Sequence, residues 1–244
     1  MKAIILAAGR GSRMKENTKV LPKCLTSLWG KHLLAWQIEA LHRAGIKDIA
    51  VITGYHSEEI TSRYPEVHYF HNSDWENTNM VSTMLCAEEW LKNDTCIISY
   101  ADIVYKSDAI KSLIEDNAKF CITYYTKFAE LWKNRFVNPL DDVESFKINE
   151  TGIITEIGQK ASSLDEIEGQ YMGLLKFSPS IWSDIKLLLD ERLPKPINKM
   201  DMTGLLEYLI ENGIELKGVP YDDLWIEVDS QEDLAYYEKN MNVQ

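Results

Sequence analysis

The first 25 residues constrain the fold more than any other stretch. An apolar run, Ala3-Ile4-Ile5-Leu6-Ala7-Ala8, stops at Gly9-Arg10-Gly11-Ser12-Arg13, and Leu21-Pro22-Lys23-Cys24-Leu25 follows after a polar gap. The run is strand-length and ends abruptly at glycine, which suits a buried parallel strand running into a turn. Two glycines let the backbone come close to a ligand, and successive N–H groups in such a turn form an anion-binding concavity. Arg10, Arg13 and Lys23 add positive charge around it. Such a loop is suited to holding a phosphate chain.

Two other phosphate loops are excluded. A P-loop needs Lys-Ser or Lys-Thr straight after its last glycine, and nothing of that kind follows Gly11. The dinucleotide fingerprint needs a third glycine where this chain has Met14. On glycine and arginine alone, a strand followed by a basic surface turn is an equal reading.

The chain has 244 residues, 45% hydrophobic and 26% charged, which is ordinary globular material for one large α/β domain or two small ones. A net charge of −12 repels a phosphate backbone and argues against nucleic-acid binding. It still allows a metal–triphosphate complex, with basic groups gathered in one loop and acids holding the cation. No apolar run approaches the roughly 18 residues of a membrane span, and no signal-peptide layout opens the chain. A cytoplasmic protein, monomer or homodimer, is expected. Cys24, Cys86, Cys96 and Cys121 have no CxxC spacing and read as buried free thiols.

Strand and helix patterns alternate: a helix over Lys31 to Ala44, a strand over Asp48 to Gly54, a short helix capped by Ser57, and a strand at His68 to Phe70. A helix opening near Asn77-Thr78-Asn79 runs through Leu91, and a buried strand follows from Thr95 to Asp102. This order implies an α/β, doubly wound, mostly parallel (Rossmann-like) sheet with right-handed crossovers. Residues 128–149 have a poor pattern and read as an insertion or lid. With the hairpin expected around Asn149 to Gly152, they give an inserted β-rich cap over about 128–177, within one domain spanning 1–244. Gly169 and Gly173 mark places where a ligand could approach closely. Asp102 and Asp229 each close an expected strand. An acid there can coordinate a hard cation or serve as a turn or cap residue.

The string Leu6-Ala7-Ala8-Gly9-Arg10-Gly11-Ser12-Arg13, followed by Pro22-Lys23 and a helix, resembles the signature of nucleotidyltransferases that join a nucleoside triphosphate to a phosphorylated small molecule. That superfamily includes sugar-1-phosphate nucleotidyltransferases and bacterial phosphocholine cytidylyltransferases. The string Asn79-Met80-Val81-Ser82-Thr83 resembles the cytidylyltransferases more than the sugar enzymes, and Ala101-Asp102 and Asp229-Ser230 resemble the family's metal-binding and closing segments.

The resemblance implies CTP held by Leu6, Ala8, Gly9, Arg10, Gly11, Ser12, Arg13, Lys23, Gly54, Asn79, Ser82, Thr83 and Ala101. It implies Mg2+ held by Asp102 and Asp229, and an acceptor bound by Lys160, Tyr171, Trp225 and Glu227. Arg13 would take the leaving pyrophosphate, Lys23 would bridge the α-phosphate and the attacking group, and Lys160 would grip the acceptor phosphate. An aromatic set of Trp75, Trp132, Tyr171 and Trp225 could cage a quaternary ammonium. The expected reaction transfers CMP from CTP to phosphocholine, a phosphonate or a phosphoglutamine-like acceptor, releasing pyrophosphate, for decoration of surface polysaccharide. The alternatives are a sugar-1-phosphate uridylyl- or thymidylyltransferase and a non-enzymatic nucleotide sensor.

Overall fold

A computed structural model of the chain describes residues 1–11, 14, 21–136, 138–191 and 193–241. Its centre is a seven-stranded sheet of order β12-β8-β11-β6-β1-β4-β5. These strands are β1 (Lys2–Ala7), β4 (Ile49–Thr53), β5 (His68–His71), β6 (Cys96–Tyr100), β8 (Phe120–Tyr125), β11 (Gln170–Phe177) and β12 (Lys217–Tyr221). Neighbours pair in parallel except where β11 runs antiparallel between β6 and β8. The continuous apolar runs of β1 and β4 are buried because helices cover both faces. The expected mostly parallel, doubly wound sheet is therefore present.

The helices are α1 (Leu33–Arg43), α2 (Ser57–Thr61), α3 (Met80–Leu85), α4 (Glu88–Asn93), α5 (Ser107–Glu115), α6 (Phe128–Arg135), α7 (Pro179–Asp190), α8 (Met202–Glu211) and α9 (Gln231–Asn240). Short strands β2 (Ser27–Leu28) and β3 (Lys31–His32) pair before α1. Strands β7 (Ile103–Tyr105) and β13 (Trp225–Glu227) pair antiparallel, with Glu227 opposite Ile103. Strands β9 (Glu144–Ile148) and β10 (Ile154–Lys160) form the expected hairpin as a separate two-stranded sheet. None of these helices is long and apolar enough to cross a membrane.

Four expectations are corrected. Residues 170–177, placed in the cap, form β11 in the middle of the main sheet, because their side chains are buried throughout most of the strand. The poorly patterned stretch after residue 128 begins with α6, which buries Phe128, Leu131 and Trp132 at helical spacing against the core. The single helix expected to open near Asn77-Thr78-Asn79 and run through Leu91 is two, α3 and α4, broken at Cys86 and Ala87. Ser57 is the first helical residue of α2 and not its cap; His56 precedes it in the left-handed region, at φ 44°. The four cysteines are free, and Cys24, Cys96 and Cys121 are buried.

The glycines of β11 meet tyrosines. A Cβ on Gly173 would sit 2.8 Å from Cγ of Tyr100, and the residue has φ +77° within a register shift of the β8–β11 ladder. A Cβ on Gly169 would strike Tyr124. The missing side chains seat rings from β6 and β8, the second ring being part of the core's own packing. Gly173→Ala should therefore destabilise the protein by more than about 1 kcal/mol. Urea unfolding of the purified variant checks this, and a midpoint equal to the parent's would refute the account.

Candidate active site

Lys23 follows Pro22 at the start of a single 3₁₀ turn, Lys23–Leu25. Its side-chain stem lies against Gly11, where a Cβ would come within 2.7 Å of the lysine Cβ, and Gly11 has φ +70°. Gly11 thus leaves room for the lysine as well as allowing the turn. From there the ammonium donates to Asp102 Oδ2 and to Asp229 Oδ1, both at 2.7 Å. Lys23 and Asp229 are buried. Burial works against the lysine's charge, but attraction to Asp102 and Asp229 outweighs it and raises its pKa above the ordinary value.

The local ladders bring the acids together. Asp102 sits in the tight turn from β6 into β7, not at the end of a single strand. β13 pairs with β7, and Val228 N–H donates to the Asp102 carbonyl at 3.0 Å. That pairing sets Asp229 and Glu227 beside Asp102, and one oxygen from each of the three carboxylates lies within 4.8 Å of the others. Burial and the charges of Asp229 and Asp102 push the Glu227 pKa upward, opposed by Arg135 and Lys23. Ser230 caps α9 in a capping box: Asp233 Oδ2 accepts from Ser230 N and Oγ, each at 2.9 Å, and from Asp229 N at 3.1 Å.

Two cavities meet at this cluster. The first, of about 260 Å³, is walled by Leu6, Gly9, Gly11, Lys23 and Ala101, as the sequence suggests, and by Ala7, Cys24, Met80, Tyr100 and Asp102. The second, of about 220 Å³, is walled by Glu227 and Asp229 at one end and by Asp142 and Glu144 among its other lining groups. Its aromatic wall includes Trp132, Tyr171 and Trp225; the two tryptophans stack with centroids 5.8 Å apart. Tyr100 borders both cavities.

Several expected residues lie elsewhere. Ser12 and Arg13 fall outside the described residues. Ala8 and Gly54 sit behind the loop: the Ala8 carbonyl accepts from Tyr55 N at 2.9 Å, and a Gly54 Cβ would be 2.6 Å from that same carbonyl. Arg10 is exposed, its guanidinium 5.6 Å from the Tyr55 ring centre. Asn79 caps α3 through Met80 N. Ser82 donates to the Ile197 carbonyl, and Thr83 accepts from Asn72 at 3.0 Å. These three side chains are turned to protein partners, and Met80 is the residue of α3 that reaches the cavity wall. Lys160 is exposed at the end of β10, bordering a neighbouring cavity and not the second one. Trp75 packs on Tyr55, apart from the other three aromatics. Sequence reading missed Tyr100, Glu144 and Arg135. Tyr100 stands beside the Ala101-Asp102 pair, which was the available signal. Glu144 and Arg135 lie in the stretch without strand periodicity.

Comparison with known proteins bears on this arrangement. The family model of the MobA-like NTP transferase domain matches residues 3–149. The chain belongs to that family. This transferase is 40% identical over 248 residues to the CTP:phosphoglutamine cytidylyltransferase of Campylobacter jejuni, covering 96% of the chain and 98% of the relative. It is 36% identical over 111 residues to the 2-aminoethylphosphonate cytidylyltransferase of Lancefieldella rimae, covering 44% and 45%. Its fold matches the CTP:phosphocholine cytidylyltransferase of Streptococcus pneumoniae with a TM-score of 0.72 at 19% identity, covering 98% and 97%. The protein is a nucleotidyltransferase.

Replacing Lys23 by Met strands the buried carboxylate of Asp229 and the half-buried one of Asp102, a change that costs about 3–5 kcal/mol in fully buried pairs. Because the lysine pKa is raised, its contribution is fully present below the unfolded value of about 10.4 and is lost only above it. The stability gap between parent and Lys23→Met should therefore be flat from about pH 6 to about pH 9 as far as the lysine is concerned. A divalent cation that binds this acid cluster would recover more melting temperature in the variant than in the parent, because it would supply the missing positive charge; Mg2+ serves as the probe. Calorimetry with and without Mg2+ measures both; equal recovery in the two proteins would show that the lysine and the metal do not share a place.

Proposed function

We propose that this transferase moves CMP from CTP to a phosphorylated small molecule carrying an ammonium group, with release of pyrophosphate. The observation that carries the reading is the Lys23–Asp102–Asp229 bridge at the seam of two cavities, one walled by the glycine loop and the other by acids and aromatic rings. The cytidine triphosphate lies in the first cavity, with Gly9 and Gly11 along its phosphates. The acceptor lies in the second. Its phosphate or phosphonate oxygen attacks the α-phosphorus, the bond from that phosphorus to the β-phosphate bridging oxygen breaks, and pyrophosphate leaves.

Positioning and charge neutralisation dominate such a transfer. The Lys23 side chain lines the first cavity and its ammonium binds Asp229 on the wall of the second, so it stands where it can contact both reacting groups. A phosphate monoester dianion attacks without a strong base. Mg2+ is the expected cofactor, and the donor set fits it: three hard carboxylate groups converge, and Asp102 Oδ1 is buried without a hydrogen-bond partner. Asp102 and Asp229, with Glu227 beside them, would hold the ion, which neutralises charge on the phosphates when bound.

The acceptor class follows from the walls of the second cavity. Asp142, Glu144, Glu227 and Asp229 line it, and among the described residues no lysine or arginine does. An ammonium group suits that field, with the stacked tryptophans supplying apolar faces. The phosphoglutamine and aminoethylphosphonate enzymes among the relatives support the same class. The sugar-1-phosphate alternative would use neutral hydroxyl-binding groups near Gly169 to Gly173; Gln170 and Tyr171 do line the cavity there, but four carboxylates share its wall, a field that suits a cation better than a neutral sugar.

Pyrophosphate release measured with CTP, UTP, dTTP, ATP and GTP against phosphorylated amino compounds and sugar phosphates tests the assignment. CTP with an aminated acceptor should be fastest; a preference for UTP or dTTP with a sugar phosphate would overturn it. Met80→Ala should narrow the preference for CTP over ATP by about tenfold, because the side chain that restricts the base wall is gone. Glu144→Gln should raise KM for aminated acceptors while leaving KM for CTP near the parent value, as steady-state kinetics will show.

A further inference from the structure

Helix α6 ends in a charge that the reaction described above does not use. Arg135 has a side chain with no exposed surface. Its guanidinium lies 5.2, 4.9 and 6.0 Å from the ring centres of Trp132, Phe136 and Tyr237. Nε donates to Asp233 Oδ1 at 2.9 Å, while Nη1 stands 3.9 Å from Glu227 Oε2, beyond hydrogen-bond reach. Both Nη groups are buried without a hydrogen-bond partner. A guanidinium cannot shed its proton, so a buried one is held by the anions at its edges. Here those anions belong to the two ends of one short stretch. Glu227 closes β13. Asp233, through its other oxygen, holds the backbone N–H groups of Asp229 and Ser230.

We propose that Arg135 is the positioning residue of the carboxylate cluster, fixing Glu227 and the turn that carries Asp229 in the arrangement that accepts a divalent cation beside Asp102. The proposal rests on the metal reading of the cluster given above. Attraction at 3.9 Å orients Glu227 without consuming its lone pairs, which stay available to a ligand. Only a rigid fork can hold both acids, because Nε and Nη1 lie on different edges of one plane, whereas a lysine in this place offers a single point charge that cannot reach both carboxylates. The apolar face of α6 places the arginine, since Phe128, Leu131 and Trp132 seat the helix on the core.

Arg135→Lys isolates positioning from charge, because it keeps the cation and removes the fork. In the folded variant, judged by near-ultraviolet circular dichroism, the Mg2+ concentration for half-maximal activity should rise about tenfold or more, the usual cost of losing a group that orients a metal ligand. Water-proton relaxation of bound Mn2+, read on the protein with CTP but no acceptor, should show more metal-bound water than in the parent. Asp233→Asn cuts the same link from the other side and should shift both readings in the same direction. Parent-like metal requirement and hydration in these variants, with only a lowered melting temperature, would overturn the proposal and leave Arg135 a core residue; so would failure of both variants to fold. A parent that binds no Mn2+ with CTP would remove the metal reading and the proposal together, which separates the two failures.

Discussion

One ammonium group ties together three stretches that are far apart in the chain. Lys23 Nζ binds Asp102 and Asp229, and neither acid can be drawn away without leaving buried charge behind. The arrangement depends on two backbone facts. Gly11 yields the space through which the lysine stem passes, and the β7–β13 ladder holds the acid turns side by side. The seven-stranded sheet is the frame that brings β1 next to β6, so that the glycine loop and the Asp102 turn emerge at the same edge.

The parts of this that can be read from sequence are those encoded by local pattern. Unbroken apolar runs give β1 and β4, and the glycine turn after β1 announces itself by composition. Lys23, Asp102 and Asp229 are each marked by position, after a proline or after a strand. Their mutual contact is not marked. It arises from the pairing of Ile103–Tyr105 with Trp225–Glu227, three-residue strands too short to show a period of two. The same limit hid α6, a helix of eight residues whose polar face outweighs its three buried side chains in any windowed reading.

Where local chemistry admits two uses, the sequence leaves them open and packing decides. Ser82 and Thr83 have the donors and acceptors to read a base, yet their partners are Ile197 and Asn72. Gly169 and Gly173 could admit a ligand, yet they admit the rings of Tyr124 and Tyr100. Contacts of this kind between separate segments of the chain are set by the tertiary fold and leave no trace in spacing.

Tyr100 has a wider meaning as the shared wall of the two cavities. Every described residue lining the first cavity comes from residues 6–102, and apart from Tyr100 every one lining the second comes from residues 132–229. On the assignment of the cavities proposed above, donor and acceptor recognition are written in consecutive lengths of chain, with one ring shared between them. On that assignment, a lineage could exchange its acceptor by rewriting the later length while the earlier one stays as inherited. The boundary between the two sets lies between Asp102 and Trp132.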